Sequence, residues 1–253
     1  TRTRAIEFKG GANARVKTSH GFEIKCKAIV VATHTPVNDV VAIHTKQASY
    51  RTYVLGFRVS QNSTPDGLYW DTLDPYHYIR TEKASGFDVL IVGGEDHKTG
   101  QESSPEEAYA KLEKWTREHF ENAQDLMYRW SGQVVEPIDG LAFLGQNPLD
   151  EKNVYVITGN SGNGMTHSTI GAMLITDLIL ERKNAWKDLY DPSRISVRAA
   201  SEFIKENANV AAQYADWVLP TLEPDLKDLH PDSGVVYRDG ITLTAVYKDE
   251  LGN

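Results

Sequence analysis

The opening segment of the chain first alternates apolar and polar positions and then changes to a continuous apolar run. The alternating apolar positions are Ile6, Phe8, Val16, Phe22 and Ile24. The continuous run covers residues 28–32 and ends in Thr33-His34-Thr35-Pro36. Alternation is typical of half-exposed antiparallel strands, whereas a short continuous run favours a strand that is buried on both faces, as in a parallel sheet. The pattern therefore predicts an antiparallel segment followed by a buried strand.

Residues 50–93 have the pattern of an antiparallel meander. Tyr53, Leu55, Phe57 and Val59 alternate with polar residues, and three further runs follow at 68–70, 76–80 and 87–92. Turn-forming clusters at 62–67, 74–75 and 84–86 separate these runs. Aromatic and β-branched side chains suit the pleated surface of a sheet, while Gly, Pro, Asn and Asp end strands. We therefore expect antiparallel strands joined by short turns.

A helix is predicted directly after the meander. Ser104-Pro105-Glu106-Glu107 fits a capping box, in which the Ser104 hydroxyl accepts from the third helical amide while Glu107 reaches back. Pro105 suits the first helical position because its missing N–H is not needed there. The residues Ala108, Leu112, Trp115 and His119 then recur at helical spacing. We expect this face to pack against the meander.

The later part of the chain has the order strand, glycine turn, helix. Asn153-Val154-Tyr155-Val156-Ile157 predicts a strand, and apolar residues at helical spacing continue from Ile170 to about Glu181. Asp191-Pro192 predicts the start of another helix, to about Asn207. Residues 220–234 are a connection rich in Pro and Asp, and Arg238-Asp239-Gly240 between two strand-like runs predicts a β-hairpin.

The composition is that of a globular protein and argues against several classes of partner. The 253 residues carry 27 Lys and Arg against 35 Asp and Glu, a net charge of −8, without any block of basic residues. Nucleic acid is therefore a poor candidate for a partner, since binding to its backbone needs a basic surface. The apolar stretches fall short of the roughly 18 residues of a membrane span, so no membrane association is expected. A small molecule remains as the candidate ligand.

The single cysteine, Cys26, excludes an internal disulfide framework and a cluster of Cys ligands within this sequence. It is the usage expected of a reducing compartment, and we expect a cytoplasmic protein. The sequence starts at Thr1 and ends soon after the predicted hairpin. We expect it to be a piece of a longer protein.

The strongest local signal for chemistry is the turn Gly159-Asn160-Ser161-Gly162-Asn163-Gly164. Glycines between a strand and a helix allow close approach to main-chain amides, and the helix N-terminus supplies N–H donors with partial positive charge. Such a place suits a phosphate or an electron-rich ring edge. The order of glycines is G-x-x-G-x-G, not the Rossmann G-x-G-x-x-G, so a tight turn without a ligand is an equal alternative.

Four segments, in this order, resemble one family. They are Ala28-Ile29-Val30-Val31-Ala32-Thr33, Trp130-Ser131-Gly132, Asp139-Gly140-Leu141-Ala142-Phe143-Leu144-Gly145, and the strand, turn and helix from Val154 to Arg182. They are similar to the flavin-binding segments of FAD-dependent oxidoreductases of the D-amino-acid oxidase and glycine oxidase superfamily, over roughly residues 1–185. The resemblance implies an enzyme that transfers hydride from an amine or a related C–H substrate to FAD.

The resemblance also implies an α/β (α+β) fold with a discontinuous cofactor domain. A partial FAD/NAD(P)-binding Rossmann-like domain (1–45 and 131–219) would be interrupted by an antiparallel-sheet substrate domain (46–130), with a short C-terminal β segment in 220–253. The cofactor-binding residues implied by the resemblance are Ala32, Thr33, His34, Gly159, Gly162, Asn163, Gly164, Met165 and Thr166. Residues 162–166 would lie at the pyrimidine edge of the isoalloxazine, where a helix N-terminus stabilises negative charge on the reduced flavin.

Three residues of the meander are candidates for catalysis. Tyr78 and Arg80 alternate on one strand and so share a face, where Arg80 would clamp an anionic substrate and Tyr78 would hydrogen-bond it. His97 is a candidate base near the flavin. The alternative for all three is an ordinary solvent-exposed position on the meander or in a loop.

The sequence departs from the family in three ways. It lacks the G-x-G-x-x-G unit that holds the ADP half of FAD, so we expect this chain alone to be inactive. Amino-acid oxidases of the family place an arginine shortly after the Trp-x-Gly segment to hold the substrate carboxylate, whereas this chain has Gln133-Val134-Val135-Glu136. A plain amino-acid substrate is therefore not expected.

The third departure lies in residues 234–252, which resemble the opening strands of a Rieske-type iron–sulfur domain. A subset of these flavoproteins carries such a domain at the C-terminus. Its [2Fe-2S] ligands would belong to the full-length protein only, and we expect no metal ligands in this chain. Two other readings stay open from the residues alone: a nucleotide-binding transferase that uses the glycine turn for phosphate, and a noncatalytic binding module.

Overall fold

The computed structural model describes residues 2–38, 43–101, 104–194, 229–231, 233–239, 242–249 and 251. The chain divides into two compact units, Thr1–Ala200 and Ser201–Asn253. The sequence predicts a boundary between residues 219 and 220, which lies outside the described residues.

The first unit is mostly β-sheet. Its strands are β1 (Ala5–Lys9), β2 (Arg15–Thr18), β3 (Glu23–Lys25), β4 (Ile29–Val31), β5 (Gln47–Val59), β6 (Leu68–Trp70), β7 (Tyr78–Lys83), β8 (Asp88–Lys98), β9 (Leu126–Pro137), β10 (Phe143–Gln146) and β11 (Val154–Thr158). Its helices are α1 (Pro105–His119), α2 (Gly164–Ile179) and α3 (Lys187–Tyr190), with a 3-10 turn at His44–Lys46. The predicted α/β (α+β) class is confirmed.

A three-stranded sheet in the order β10-β11-β4 carries the two strands predicted to be buried. Strand β4 runs parallel to β11, and β10 runs antiparallel to it. One face packs on α2 through Leu144, Ile157 and Leu174, while Val31 and Val156 pack on the other face. The prediction that β4 is buried on both faces is wrong at its centre, because Val30 is 45% exposed.

The antiparallel start of the chain is also confirmed. Strands β1, β2 and β3 form a separate sheet, and Phe8, Val16 and Cys26 pack at the edge of the core beneath β4. Cys26 is a partly buried free thiol in this apolar contact.

The predicted meander forms a five-stranded antiparallel sheet in the order β6-β7-β8-β5-β9. Tyr53, Leu55, Phe57 and Val59 line one face and pack with Leu112 of α1, as expected. Strand β9 stays in this sheet up to Pro137, so the predicted domain boundary at 130/131 falls in the middle of a strand.

Helix α1 has the predicted position, but its predicted capping box is wrong. The side chain of Ser104 makes no capping hydrogen bond, and the amide of Glu107 donates to the Ser104 backbone carbonyl instead. Ala108 and Leu112 are buried against the sheet, and the Trp115 ring stacks between His77 and His119 at centroid distances of 4.0 and 4.2 Å. Packing against the sheet, more than a side-chain cap, holds the helix.

In the second unit, strands β12 (Ser233–Asp239) and β13 (Thr242–Lys248) pair in antiparallel register, which confirms the predicted hairpin. The helix predicted from Asp191 to about Asn207 lies mostly outside the described residues. None of the helices in the described ranges has the length and apolar character needed to cross a bilayer.

Candidate functional site

The carboxyl ends of β4 and β11 lie at the same edge of the small sheet because these strands are parallel neighbours. The Thr158 hydroxyl at the end of β11 donates to the His34 carbonyl after β4, at 2.6 Å. Ala32, Thr33 and His34 are exposed at this edge. The two chain segments predicted to contact the cofactor, about 125 residues apart in sequence, are thus brought together by the fold.

The glycine turn has the backbone that its sequence suggests. Gly159 and Gly162 have φ values of +68° and +69°, in the left-handed region that favours glycine. Gly159 is buried, and a Cβ there would lie 3.3 Å from both Gln47 and Pro137. Both the left-handed backbone and the close packing therefore favour glycine at position 159.

The N-terminus of α2 is open to a ligand. Asn163 does not cap the helix with its side chain, which donates to the Ser161 carbonyl instead. A Cβ at Gly162 or Gly164 would meet no atom within 4 Å, and the Met165 side chain is 90% exposed. The amides of the first turn and the positive end of the helix dipole therefore lie beside open surface.

A buried amide at the same edge lacks a partner on one side. Gln47 is 9% exposed, and its Oε1 accepts from the Thr158 hydroxyl at 3.2 Å. Its Nε2 has no hydrogen-bond partner among the described residues. An unsatisfied buried donor is costly, so this amide is available to an acceptor on a bound molecule.

The face of the five-stranded sheet opposite α1 carries a polar cluster. Tyr78 lies flat across Gly93, where a Cβ would be only 2.1 Å from its ring, and its hydroxyl is 3.1 Å from the Thr52 hydroxyl. Burial raises the pKa of the Tyr78 hydroxyl, and the charge of Asp96 raises this pKa further. Gly93 is thus what allows an aromatic ring to lie over the middle of the sheet.

Two carboxylates belong to the same cluster. Burial raises the pKa of Asp96, and Glu136 raises it as well, against a Thr52 hydrogen bond that lowers it. The Tyr76 ring lies 6.0 Å from the Tyr78 ring, and burial followed by the charge of Asp96 raises the pKa of the Tyr76 hydroxyl. We call Thr52, Tyr76, Tyr78, Asp96 and Glu136 the acidic tyrosine cluster.

The glycine turn contacts this cluster directly. The Ser161 amide donates to the Val135 carbonyl at 3.0 Å, and the Ser161 hydroxyl donates to the Glu136 carboxylate. Strand β9 therefore connects the edge that carries the open helix N-terminus with the sheet face that carries the carboxylates. A molecule bound at the helix N-terminus would therefore lie next to the carboxylates of the sheet face.

The three candidate catalytic residues do not meet at this place. Tyr78 belongs to the cluster. Arg80 shares its face but is half-exposed and forms an ion pair with Glu82 at 2.9 Å. His97 lies on the α1 side, where its Nε2 is 2.9 Å from the Tyr53 hydroxyl. The structure thus gathers Tyr78 with acidic groups and leaves His97 on the other face.

A β-bulge decides which residue of β8 enters the cluster. Arg51 pairs with His97, but Tyr53 pairs with Gly94, so β8 has one extra residue between them. Glu95 takes a left-handed φ of +56° at this point. Without the bulge, alternation from Leu90 and Val92 would put residue 96 on the α1 side. Sequence reasoning missed Asp96 for this reason, whereas Glu136 was visible as a departure from the family's arginine.

The fold and this edge define a class of protein. Residues 1–178 match the family model described as FAD dependent oxidoreductase, DAO. The match covers more than half of the sequence, so the chain belongs to the DAO family of FAD-dependent oxidoreductases, as its motifs predicted.

The chain is also similar in sequence to one curated protein over nearly its whole length. The chain is 27% identical over 252 residues to YhfW of Bacillus subtilis, which is provisionally named a Rieske 2Fe-2S iron-sulfur protein. The alignment covers 99% of this chain and 49% of YhfW, so the chain spans about half the length of the curated relative it matches.

Solved structures show the same fold. Glycine oxidase from Geobacillus kaustophilus superposes with a TM-score of 0.58 at 18% identity, over 77% of this chain and 52% of that one. L-proline dehydrogenase from P. horikoshii gives 0.57 at 17% identity, over 76% and 53%. At these identities the likeness describes the fold alone.

FAD is the cofactor of this family, and the residues at the β4 and β11 edge fit its flavin ring. The unpartnered Gln47 Nε2 and the free amides of residues 164–166 in the first turn of α2 are donors suited to the oxygens and nitrogens of a pyrimidine edge. In the described residues no group of three or more His, Cys, Asp or Glu side chains is arranged to hold a metal ion.

The pKa of Asp96 gives a test of the site by stability. Because the folded-state pKa is raised above the ordinary 3.8, the fold disfavours the ionised carboxylate, and this cost is present above the folded pKa. We expect Asp96→Asn in the full-length protein to raise the free energy of unfolding at neutral pH by less than about 1 kcal/mol, because water screens this partly exposed group. The gain should vanish as the pH falls below 3.8.

Urea denaturation at the two pH values measures this difference. Asp188→Asn, an exposed position on α3, is the matched control and should change stability little at either pH. A loss of stability in Asp96→Asn at neutral pH would contradict the assignment of a partly buried carboxylate whose ionised form the fold disfavours.

Proposed function

We propose that the full-length protein oxidises an amine, or a substrate with a related C–H bond, at the junction of the glycine turn and the acidic tyrosine cluster. The observation that carries this proposal is the contact of Ser161 with Val135 and Glu136, which puts the open N-terminus of α2 beside a polar sheet face. When bound, FAD supplies a two-electron acceptor for hydride.

The residues of this chain would bind the flavin ring and orient the substrate against it. The backbone of residues 162–166 would lie at the pyrimidine edge, where the amides of residues 164–166 and the Gln47 Nε2 would donate to it. Ala32, Thr33, His34 and Gly159 would lie beside it. The helix dipole would stabilise the negative charge that develops there. Tyr78 and Thr52 would hydrogen-bond the substrate. The substrate loses a hydride from carbon and a proton from nitrogen, and its C–N bond becomes a C=N bond.

The division of labour proposed for the chain follows its sequence. Residues 1–45 with 131–219 would form the cofactor domain and 46–130 the substrate domain, with β9 running from one into the other. Residues 220–253 would lead into the first strands of a Rieske-like domain. We propose that electrons pass from the flavin to a [2Fe-2S] centre in the full-length protein, which the name of YhfW supports. The lone Cys26 and the net charge of −8 support a cytoplasmic protein that does not bind nucleic acid.

Anaerobic reduction of the full-length flavoprotein tests this function. We expect a panel of small secondary amines to bleach the visible flavin absorption, and the electron paramagnetic resonance signal of a reduced [2Fe-2S] centre to follow. If dithionite reduces the flavin but no amine does, the proposal of amine oxidation is wrong. If the flavin is bleached and no iron–sulfur signal develops, only the electron-transfer step is wrong.

A further inference from the structure

We propose that the acidic tyrosine cluster binds a positively charged group of the substrate, so that the substrate is an organic cation such as a diamine and not an amino acid. This inference deepens the proposed function, on which it rests for the position of the reacting carbon. It follows from what lines the sheet face beside the glycine turn.

The two carboxylates of the cluster lack a permanently charged partner among the described residues. Asp96 and Glu136 form no ion pair with any lysine or arginine in the part of the chain that the structure describes. The Asp96 Oδ1 is buried and has no hydrogen-bond partner there. Both carboxylates lie on the face of the sheet opposite α1, and the charge of Glu136 raises the pKa of Asp96. A partly buried negative charge without a lysine or arginine partner is unfavourable, so a bound cation would stabilise this site.

The fixed hydrogen bonds leave one carboxylate edge available. The Ser161 hydroxyl donates to Oε2 of Glu136. The Ser161 backbone amide donates to the Val135 carbonyl, which holds β9 against the turn. Glu136 is therefore held at the turn that approaches the flavin edge, in the segment where this chain has Gln133-Val134-Val135-Glu136 and no arginine. An anionic substrate would meet repulsion at the same place.

The tyrosines suit the same ligand. Tyr76 and Tyr78 lie with ring centroids 6.0 Å apart and tilted by 45°, and both neighbour Asp96. The faces of aromatic rings attract ammonium groups, and carboxylates add a charge-assisted hydrogen bond. Tyrosine faces together with carboxylates are the chemistry that recognises an alkylammonium group.

A pair of probes with the same reacting group tests the charge preference. Sarcosine and N-methylethylenediamine share an N-methylamine, but the first carries a carboxylate where the second carries an ammonium group. In the full-length FAD protein under anaerobic conditions, we expect the diamine to reduce the flavin with the larger second-order rate constant. In Glu136→Gln, this constant should fall about tenfold to a hundredfold, as for one charge-assisted hydrogen bond.

Binding is measured separately with tetramethylammonium, which has no nitrogen lone pair and cannot form a C=N bond. Isothermal titration should show a Kd for this ion that is about tenfold weaker in Glu136→Gln than in the parent protein. Glu136→Gln keeps an acceptor for the Ser161 hydroxyl, and an unchanged flavin content shows that it folds. Glu107→Gln, exposed on α1, removes the same charge on the other side of the sheet and should leave both probes unchanged.

Each outcome has a defined meaning. Tetramethylammonium binding that depends on Glu136, without flavin reduction by any amine, supports the cation site and overturns the proposed amine oxidation. Preferential reduction by sarcosine, or tetramethylammonium binding that is absent or equal in Glu136→Gln and the parent, overturns the cation site. Reduction by sarcosine would at the same time leave amine oxidation standing.

Discussion

Replacing Gly164 with valine should remove most of the bound flavin from the full-length protein, lowering FAD affinity at least about tenfold. A Cβ at this position meets no protein atom within 4 Å, and its φ is not left-handed. The protein itself therefore tolerates the side chain. The two methyl groups would instead project over the first turn of α2, where the amides are proposed to approach the pyrimidine edge, and one lost hydrogen bond to a charged edge is enough for this effect.

Flavin content per protein chain, from the visible and ultraviolet absorption of the purified protein, measures this change. Ala172→Val is the matched control, because Ala172 is exposed on the same helix about two turns further along. It places the same β-branched side chain on the helix, away from the first turn. Equal flavin content in the two variants would contradict the placement of the flavin at Gly164, whereas loss of folding in Gly164→Val alone would contradict the open space around it.

Replacing Arg194 with methionine should lower the free energy of unfolding by about 3–5 kcal/mol. The guanidinium holds both oxygens of Asp139 at 2.8 Å, donates to the Ala142 carbonyl at 2.9 Å and lies 4.0 Å from the centre of the Phe143 ring. Both charged side chains are 14% exposed. Without Arg194 the fold would keep a mostly buried, unpaired carboxylate just before β10, the neighbour of the strand that leads into the glycine turn.

The pH dependence of stability identifies the ion pair. Burial acts to raise the pKa of Asp139, but the hydrogen bond and charge of Arg194 outweigh it, so the pKa is lowered from 3.8. The pair's contribution is therefore fully present above pH 3.8 and is lost as the pH falls through the lower folded value. Urea denaturation of Arg194→Met should show a cost at pH 7 that becomes smaller in acid.

An exposed ion pair provides the comparison. Lys17 and Glu7 are joined at 2.7 Å, but their side chains are 43% and 49% exposed. Lys17→Met should cost far less than Arg194→Met, because water and salt screen such a pair. If the two methionine variants lose similar stability, burial is not what makes the Arg194 pair strong.

Local signals in the sequence were sufficient for most of the elements. The continuous run before Thr33 gave β4, the alternation around Leu55 gave β5, and the spacing of Ala108 and Leu112 gave α1 and the face it buries. Periodicity works here because each of these segments packs one face against a core. The predicted capping box is wrong because the Glu107 amide donates to the Ser104 backbone carbonyl and not to the Ser104 hydroxyl.

By itself, the sequence determined the family, the glycine turn at the start of α2 and the absence of an arginine near Glu136, since these are written in the order of residues. Only the tertiary structure decided that Asp96, and not His97, joins Tyr78 and Glu136. That choice depends on one extra residue in β8, which reverses the face of everything beyond it. A bulge depends on pairing between strands distant in sequence, so no local pattern predicts it.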